Sequence, residues 1–474
     1  MSRTVILFLF LFSGSLGAQS AGSLVFSGSL RTRAEVTDWF QGAANSDYGY
    51  GSMLLRFGVS QQKQGYDWQI EFAAPALLGL PNDAISTLGA QGQFGLGASY
   101  FAANGNSQNS GMAFAKQAFI RFKRGRQSLR LGRFEFQDGL ELTPKDATLG
   151  WIKRERIAQR LIGSFGWSDV GRSFDGAQYG WGTLKTNVTV LAAIPTRGAF
   201  QTDGWGELHT AFAYAALSHE VDGANASGDF RVFGIYYDDW RHVLKTDNRT
   251  LAARRADMDN IKIGTFGAHA AGVVKTAGGT FDALVWGAGQ TGRWGRLDQR
   301  SGAILAEAGW QPGVLAPVKP WLRGGYSYTT GDDDPGDQTH GTFFQMLPTP
   351  RPYARFPFFN MMNNEDLHGD LVLRPHAKVT IRSEVHGLRL TSGNDLWYAG
   401  GGAFQPWTFG FLGRATGGNR GLATLYDTSV DVTASRHASF TAYFGHADGH
   451  SAAAGIYPLG RNANFGYLEM LLKL

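Results

Sequence analysis

Alternation is the property that most restricts how this chain can fold. Between Leu30 and Val36 the charged residues Arg31, Arg33 and Glu35 take every second position, and Leu30, Thr32, Ala34 and Val36 fill the others. Ala377 to His386 repeats the pattern. Lys378, Thr380, Arg382, Glu384 and His386 share one parity, and Val379, Ile381, Ser383 and Val385 share the other. Successive side chains of a strand point to opposite faces, so each such segment has a wet side and an apolar side. The pattern recurs from residue 24 to the end, with no long apolar run after the N-terminus. A β-barrel that sits in lipid around a polar interior requires this script.

Segments of about ten alternating residues bounded by Gly, Pro, Asn or Asp are expected at 24–36, 52–60, 66–73, 113–123, 128–136, 173–181, 185–194, 208–219, 228–238, 259–272, 279–290, 301–311, 319–330, 367–374, 377–390, 421–431, 436–447 and 463–474. Tyr66, Trp68, Ile70 and Phe72 against Asp67, Gln69 and Glu71 is among the clearest; 208–219 and 228–238 carry apolar residues on both parities. Connections after even strands are short, as at Gln61–Gly65, Arg124–Gln127, Lys275–Gly278 and Pro375-His376. Those after odd strands are long, as at 74–112, 137–172, 331–366 and 391–420. A soluble sandwich has no reason to sort loop length by parity. An outer-membrane barrel does, with short periplasmic turns and long extracellular loops. The expected fold is therefore a single 18-stranded antiparallel transmembrane β-barrel with both termini in the periplasm. The final strand fits it: Leu468, Met470, Leu472 and Leu474 alternate with Glu469 and Lys473.

Composition agrees. The chain has 65 Gly in 474 residues, 13% aromatic residues and 18% charged residues. Soluble domains carry roughly 7% Gly and roughly 25% charge. Residues 1–21 read as a signal peptide, with Arg3, the apolar run Val5–Phe12 and small residues around a cleavage point near 18–21. Residues 22–474 form the barrel domain. No later segment reaches the roughly 18 apolar residues that a spanning helix needs. The net charge of +5 comes without a basic run, which argues against nucleic acid as a partner. A monomer in outer-membrane lipid is expected.

Motifs for catalysis and cofactor binding are missing. There is no Cys, no His-Glu-x-x-His zinc motif and no Gly-x-Ser-x-Gly elbow. The run Gly92–Gly97 lacks a strand-to-helix setting and reads as loop. Asp332, Asp333, Asp334 and Asp337 offer a possible cation site, but their spacing is not that of an EF-hand, and a solvated loop tip is the better reading. His219, His386 and His446 read as wall or loop residues. Ser327 and His386, the nearest inward candidates for a barrel-wall hydrolase, lie on well-separated strands. No enzyme activity, metal or cofactor is expected.

The inward charges are the functional candidates. Arg31, Arg33, Arg56, Arg121, Lys123, Arg323, Lys378 and Arg382 take the wet parity, accompanied by Glu35, Asp67, Glu71, Asp175, Glu307 and Glu384. Basic side chains in a pore favour anions, and a modest anion preference is expected.

Three stretches carry a family resemblance. One runs from Leu131-Gly132-Arg133-Phe134 through Gln159-Arg160-Leu161-Ile162-Gly163 and Trp167 to Gly171-Arg172-Ser173-Phe174-Asp175-Gly176. A second runs from Pro320 into Asp332-Asp333-Asp334-Pro335 and on to Leu347-Pro348-Thr349. The third is Asn394–Gly401. Together they resemble the alginate-export family of outer-membrane proteins. The resemblance implies an 18-stranded barrel and a passive conduit for an anionic polysaccharide, or for another anionic or sugar solute. Export and substrate-selective uptake both remain open. It also places Arg133, Arg160, Arg172 and Asp175 near the channel and its loops, where a guanidinium can grip a uronate carboxylate with two parallel hydrogen bonds; a buried loop-to-wall network from Arg133 to Gly176 that holds a plug in place is the equal alternative.

Overall fold

The computed structural model describes residues 22–315 and 317–474; the expected signal peptide, 1–21, lies outside the described residues. Eighteen strands close into one barrel. They are β1 (Leu24–Asp38), β2 (Asp47–Lys63), β3 (Tyr66–Leu78), β4 (Phe114–Arg124), β5 (Gln127–Phe134), β6 (Phe174–Gly182), β7 (Thr186–Pro195), β8 (Thr210–Asp222), β9 (Ala226–Asp239), β10 (Ile261–Thr276), β11 (Gly279–Trp294), β12 (Leu297–Pro312), β13 (Trp321–Thr329), β14 (Asn364–His376), β15 (Val379–Leu390), β16 (Gly421–Thr433), β17 (Ala438–Gly449) and β18 (Asn462–Lys473). Each pairs antiparallel with its neighbours in sequence. The last closes on the first in a register running from Ser29 opposite Lys473 to Asp38 opposite Asn464. Every strand falls on a segment expected from alternation.

The apolar parity faces outward. Val36, Leu55, Phe57, Ile70, Phe72, Phe266, Leu367 and Leu468 are all exposed on the outer wall, while Arg33, Glu35 and Glu71 on the other parity are buried inside. Exposed aliphatic and aromatic side chains on every strand would be a liability in water and are the requirement in lipid. Closure also removes the unpaired strand edges that lipid cannot solvate.

Turns and loops sort by rim. Residues 64–65, 125–126, 277–278 and 377–378 make tight turns at one end, where β1 also begins and β18 ends. At the other end run the connections 39–46, 79–113, 135–173, 196–209, 240–260, 330–363, 391–420 and 450–461. One connection breaks the expected rule: β11 and β12 join on the long-loop rim through Gly295 and Arg296 alone. The neighbouring 240–260 loop covers this turn, and Arg296 N donates to the Asp257 carboxylate at 3.1 Å.

The interior is not an open wet tube. Loop 135–173 folds into it and packs Phe136, Leu149, Ile152, Ile157 and Leu161 against the inward side chains Phe212, Tyr214, Phe233, Ile235 and Trp286 of β8, β9 and β11. Each fully buried side chain of this kind is worth roughly 1.5–3 kcal/mol. This is why 208–219 and 228–238 are apolar on both parities: one face meets lipid and the other meets the loop. A second aromatic mass, including Trp39, Phe40, Phe94, Phe356, Phe358, Trp397 and Tyr457, fills the long-loop end.

Candidate functional site

Loop 135–173 is positioned by local chemistry and then by charge. Asp146 caps helix α1 (Ala147–Ile152), accepting from Thr148 N at 2.9 Å and Leu149 N at 3.1 Å. A π-turn, Lys153–Ile157, continues it and presents two cations to the wall. Lys153 Nζ reaches Asp229 at 2.7 Å, and Arg156 donates to both oxygens of Glu307 at 2.9–3.0 Å. Further round the barrel, Glu135 pairs with Arg56 at 2.9 Å, Asp138 lies 3.5 Å from Arg231, and Asp169 lies 3.4 Å from Arg31 and 3.8 Å from Arg33. The loop is thus an ionically anchored plug.

Two cavities remain on either side of it. The first, about 300 Å³, is walled by the long loops, with Trp39, Leu96, Phe165, Phe200, Phe358, Trp407 and Phe411 as apolar lining and Arg351 and Arg414 as its cations. The second, about 360 Å³, lies toward the short-turn rim among Arg31, Arg33, Arg351, Arg355, Glu155, Asp431, Tyr467 and Glu469. Arg351 lines both, so it stands between them. Its guanidinium donates to Phe356 O at 2.6 Å and Pro357 O at 2.7 Å and lies 5.0 Å from the Trp167 ring centre. Its Nε has no hydrogen-bond partner among the described residues. Burial pulls its pKa down to about 10, so it stays cationic at neutral pH. Arg351, Arg355 and Arg414 have no carboxylate within ion-pair distance among the described residues, unlike most wall cations. A buried cation without a counter-charge is costly, and a passing anion supplies one.

The residues expected from the sequence divide into several groups. Arg31 and Arg33 line the lower cavity and also hold the plug; Glu35 sits buried against Arg33 at 3.3 Å. Arg56 binds Glu71 and Glu135. Arg121 and Lys123 share Asp67 close to the short-turn rim, at 3.0 and 2.5 Å. Arg323 is clamped between Asp282 and Glu307, and Arg382 between Glu384 and Glu155; neither arginine lines a cavity. Arg160 and Arg172 are buried inside the plug. Arg160 lies over Tyr353 at 3.9 Å and donates to the Arg156 carbonyl at 2.5 Å. Arg172 donates to Gly401 O at 2.9 Å, and burial pulls it down to about 9.

Three placements are corrected. Lys378 is exposed in the β14–β15 turn, where it reaches Ala434 O at 2.8 Å, and it does not face the lumen. Arg133 and Asp175 pair with each other at 2.7 Å on the outer face, near the long-loop rim. Leu129 and Leu131, outward on β5, already give Arg133 its parity; Tyr179 on β6 does the same for Asp175. Arg133 also donates to Ala115 O at 3.1 Å. Parity points to none of Arg351, Arg355 and Arg414: the first two lie in a loop and the third in a short hairpin strand outside the barrel wall; two arginines flanking Pro352-Tyr353-Ala354 are the one available signal.

Residues 26–448 match the alginate export family. The chain belongs to the alginate-export family. No curated protein matches it in sequence. Among solved structures it is similar to Pseudomonas aeruginosa OccK11 (OpdR), at 10% identity and TM-score 0.54 over 95% of this chain and 96% of that one. Acinetobacter baumannii OccAB4 gives 8% identity and TM-score 0.57 over 97% and 100%. Pseudomonas aeruginosa OpdK, solved with vanillate, gives 8% identity and TM-score 0.55 over 95% and 98%. These likenesses concern the fold. Family and fold together make the chain an outer-membrane, porin-like channel protein of the alginate-export family rather than an enzyme.

Proposed function

We propose that this alginate-export family member is a diffusion channel for small organic anions such as uronates or aromatic carboxylates, with the short-turn rim and both termini in the periplasm. One observation supports the reading: Arg351, charged and with no carboxylate in ion-pair distance among the described residues, lines both cavities. The upper cavity offers flat aromatic surfaces and the lower one a cluster of arginines. That combination suits a solute with a ring and a carboxylate, and vanillate, with which OpdK was solved, has both. Volumes of about 300 and 360 Å³ are small-molecule volumes. A threaded polyuronate requires the plug to withdraw.

Single-channel recording with added solutes tests this. Glucuronate and vanillate should block the current in a concentration-dependent way, and neutral glucose should not. Block by alginate oligomers alone, with none by monomeric acids, overturns the small-anion reading and favours polymer export.

A further inference from the structure

Behind the lining of the lower cavity, the inner wall of β14, β15 and β16 gathers an unusual set of side chains. Asp370, Glu384 and Asp427 stand directly beside one another in register across the three strands, and His368 stands beside His386 one row away. All five are buried. Like charges opposite each other on neighbouring strands destabilise a sheet, so this row needs positive charge. Arg382 reaches Glu384 from one side. Even so, Glu384 Oε2, Asp427 Oδ2 and His386 Nε2 are buried with no hydrogen-bond partner among the described residues. Such groups are rare in folded proteins and call for an explanation.

His386 is oriented as a ligand would be. Its Nδ1 faces the Asp366 carboxylate at 3.0 Å, which fixes the ring and leaves Nε2 free. Its ring stacks on His368 with 5.5 Å between centres. A nitrogen of His386 and one oxygen each of Glu384 and Asp427 all lie within 4.8 Å of one another. Histidine ligands of metals commonly donate their other N–H to a carboxylate in this way.

We propose that Glu384, His386 and Asp427 form a binding site for a divalent transition-metal cation of the Zn²⁺ type, with Asp366 as the residue that orients His386. The ligand set is one imidazole and two carboxylates, suited to Zn²⁺ and its neighbours rather than to Ca²⁺. Such ligands sit about 2.0–2.2 Å from the ion, so the three atoms need only small side-chain shifts to close on it. The ion neutralises the carboxylate row and ties β15 to β16. The inference rests on wall geometry and is independent of what the channel carries.

The test uses the whole detergent-purified barrel, stripped with chelator and titrated with Co²⁺. One Co²⁺ per chain is expected, with a d–d absorption spectrum that Zn²⁺ abolishes by displacement. His386→Gln and Asp427→Asn should each weaken binding at least tenfold. Asp366→Asn, which removes no ligand, should weaken it about 10–100-fold. The β-sheet circular dichroism reports whether each variant folds. If a variant does not fold, pulsed electron paramagnetic resonance on wild type with substoichiometric Cu²⁺ decides, with one coordinated imidazole expected. Absence of stoichiometric uptake, uptake unchanged in the folded variants, or a Cu²⁺ signal without imidazole overturns the proposal.

Discussion

Arg156→Met should loosen the plug without dismantling the wall. In the native protein Arg156 holds Glu307 through bonds of 2.9–3.0 Å, and Glu307 also accepts from Arg323 at 2.9 Å. Removing Arg156 therefore leaves the buried carboxylate paired. The loss is that of the loop's own charged hydrogen bonds, roughly 1.5–3 kcal/mol, and not the roughly 3–5 kcal/mol of stranding a buried charge. At 1.4 kcal/mol per tenfold, the ratio of undocked to docked plug should rise about 10–100-fold. Single-channel recording reads this as more frequent visits to a higher-conductance level. Lys275→Met is the control: its pair with Asp146 lies on the same loop at 2.7 Å, but the Lys275 side chain is 56% exposed, and exposed pairs contribute about 0–1 kcal/mol. It should leave the recording almost unchanged. A folded Arg156→Met channel with the gating of wild type would refute the anchoring argument.

Two further predictions concern the backbone and the loops. Gly132 on β5 has φ +118°, and a Cβ there would lie 2.3 Å from Ala118 O, so Gly132→Val should sharply reduce the yield of folded barrel, read by circular dichroism of purified membranes' protein. Burial, with the Asp395 carboxyl adding to it, pushes the Asp332 pKa up to about 7. The junction in which Asp332 N donates to Asp395 at 2.9 Å should then be firmest below about pH 4 and weaken as pH rises through about 7. Current fluctuations should increase over that interval in wild type, and Asp332→Asn should flatten the dependence.

The barrel was legible because lipid imposes a rule on every strand regardless of what the strand faces inside. Ile70 and Phe72 must be apolar wherever the plug lies, so parity located the wall and its closure. That loops fill part of the lumen was legible from the length of 137–172, but the docking of loop 135–173 was not, because the loop has no lipid constraint and its contacts show only indirectly, as apolar residues on the inward parity of 208–219 and 228–238. Inward charge was misleading for the same reason. Arg323 and Arg382 take the wet parity, yet the structure buries them among Asp282, Glu307, Glu384 and Glu155. Parity says which way a side chain points and not whether another part of the chain already neutralises it. Among the described residues, the cavity-lining cations without an ion pair, Arg351, Arg355 and Arg414, lie in loops, or in the loop hairpin that Arg414 shares with Trp397.

The central claim is that solute passes Arg351, and the reversal potential in a salt gradient tests it most directly. The field of a charge decays over about 8 Å at physiological ionic strength, so a guanidinium that lines both cavities should act on every ion that passes. Wild type should prefer chloride over potassium, and folded Arg351→Gln should lose most of that preference, whereas Arg323→Gln should not if it folds. A cation-selective wild type, or an Arg351→Gln channel with unchanged selectivity, would contradict the account.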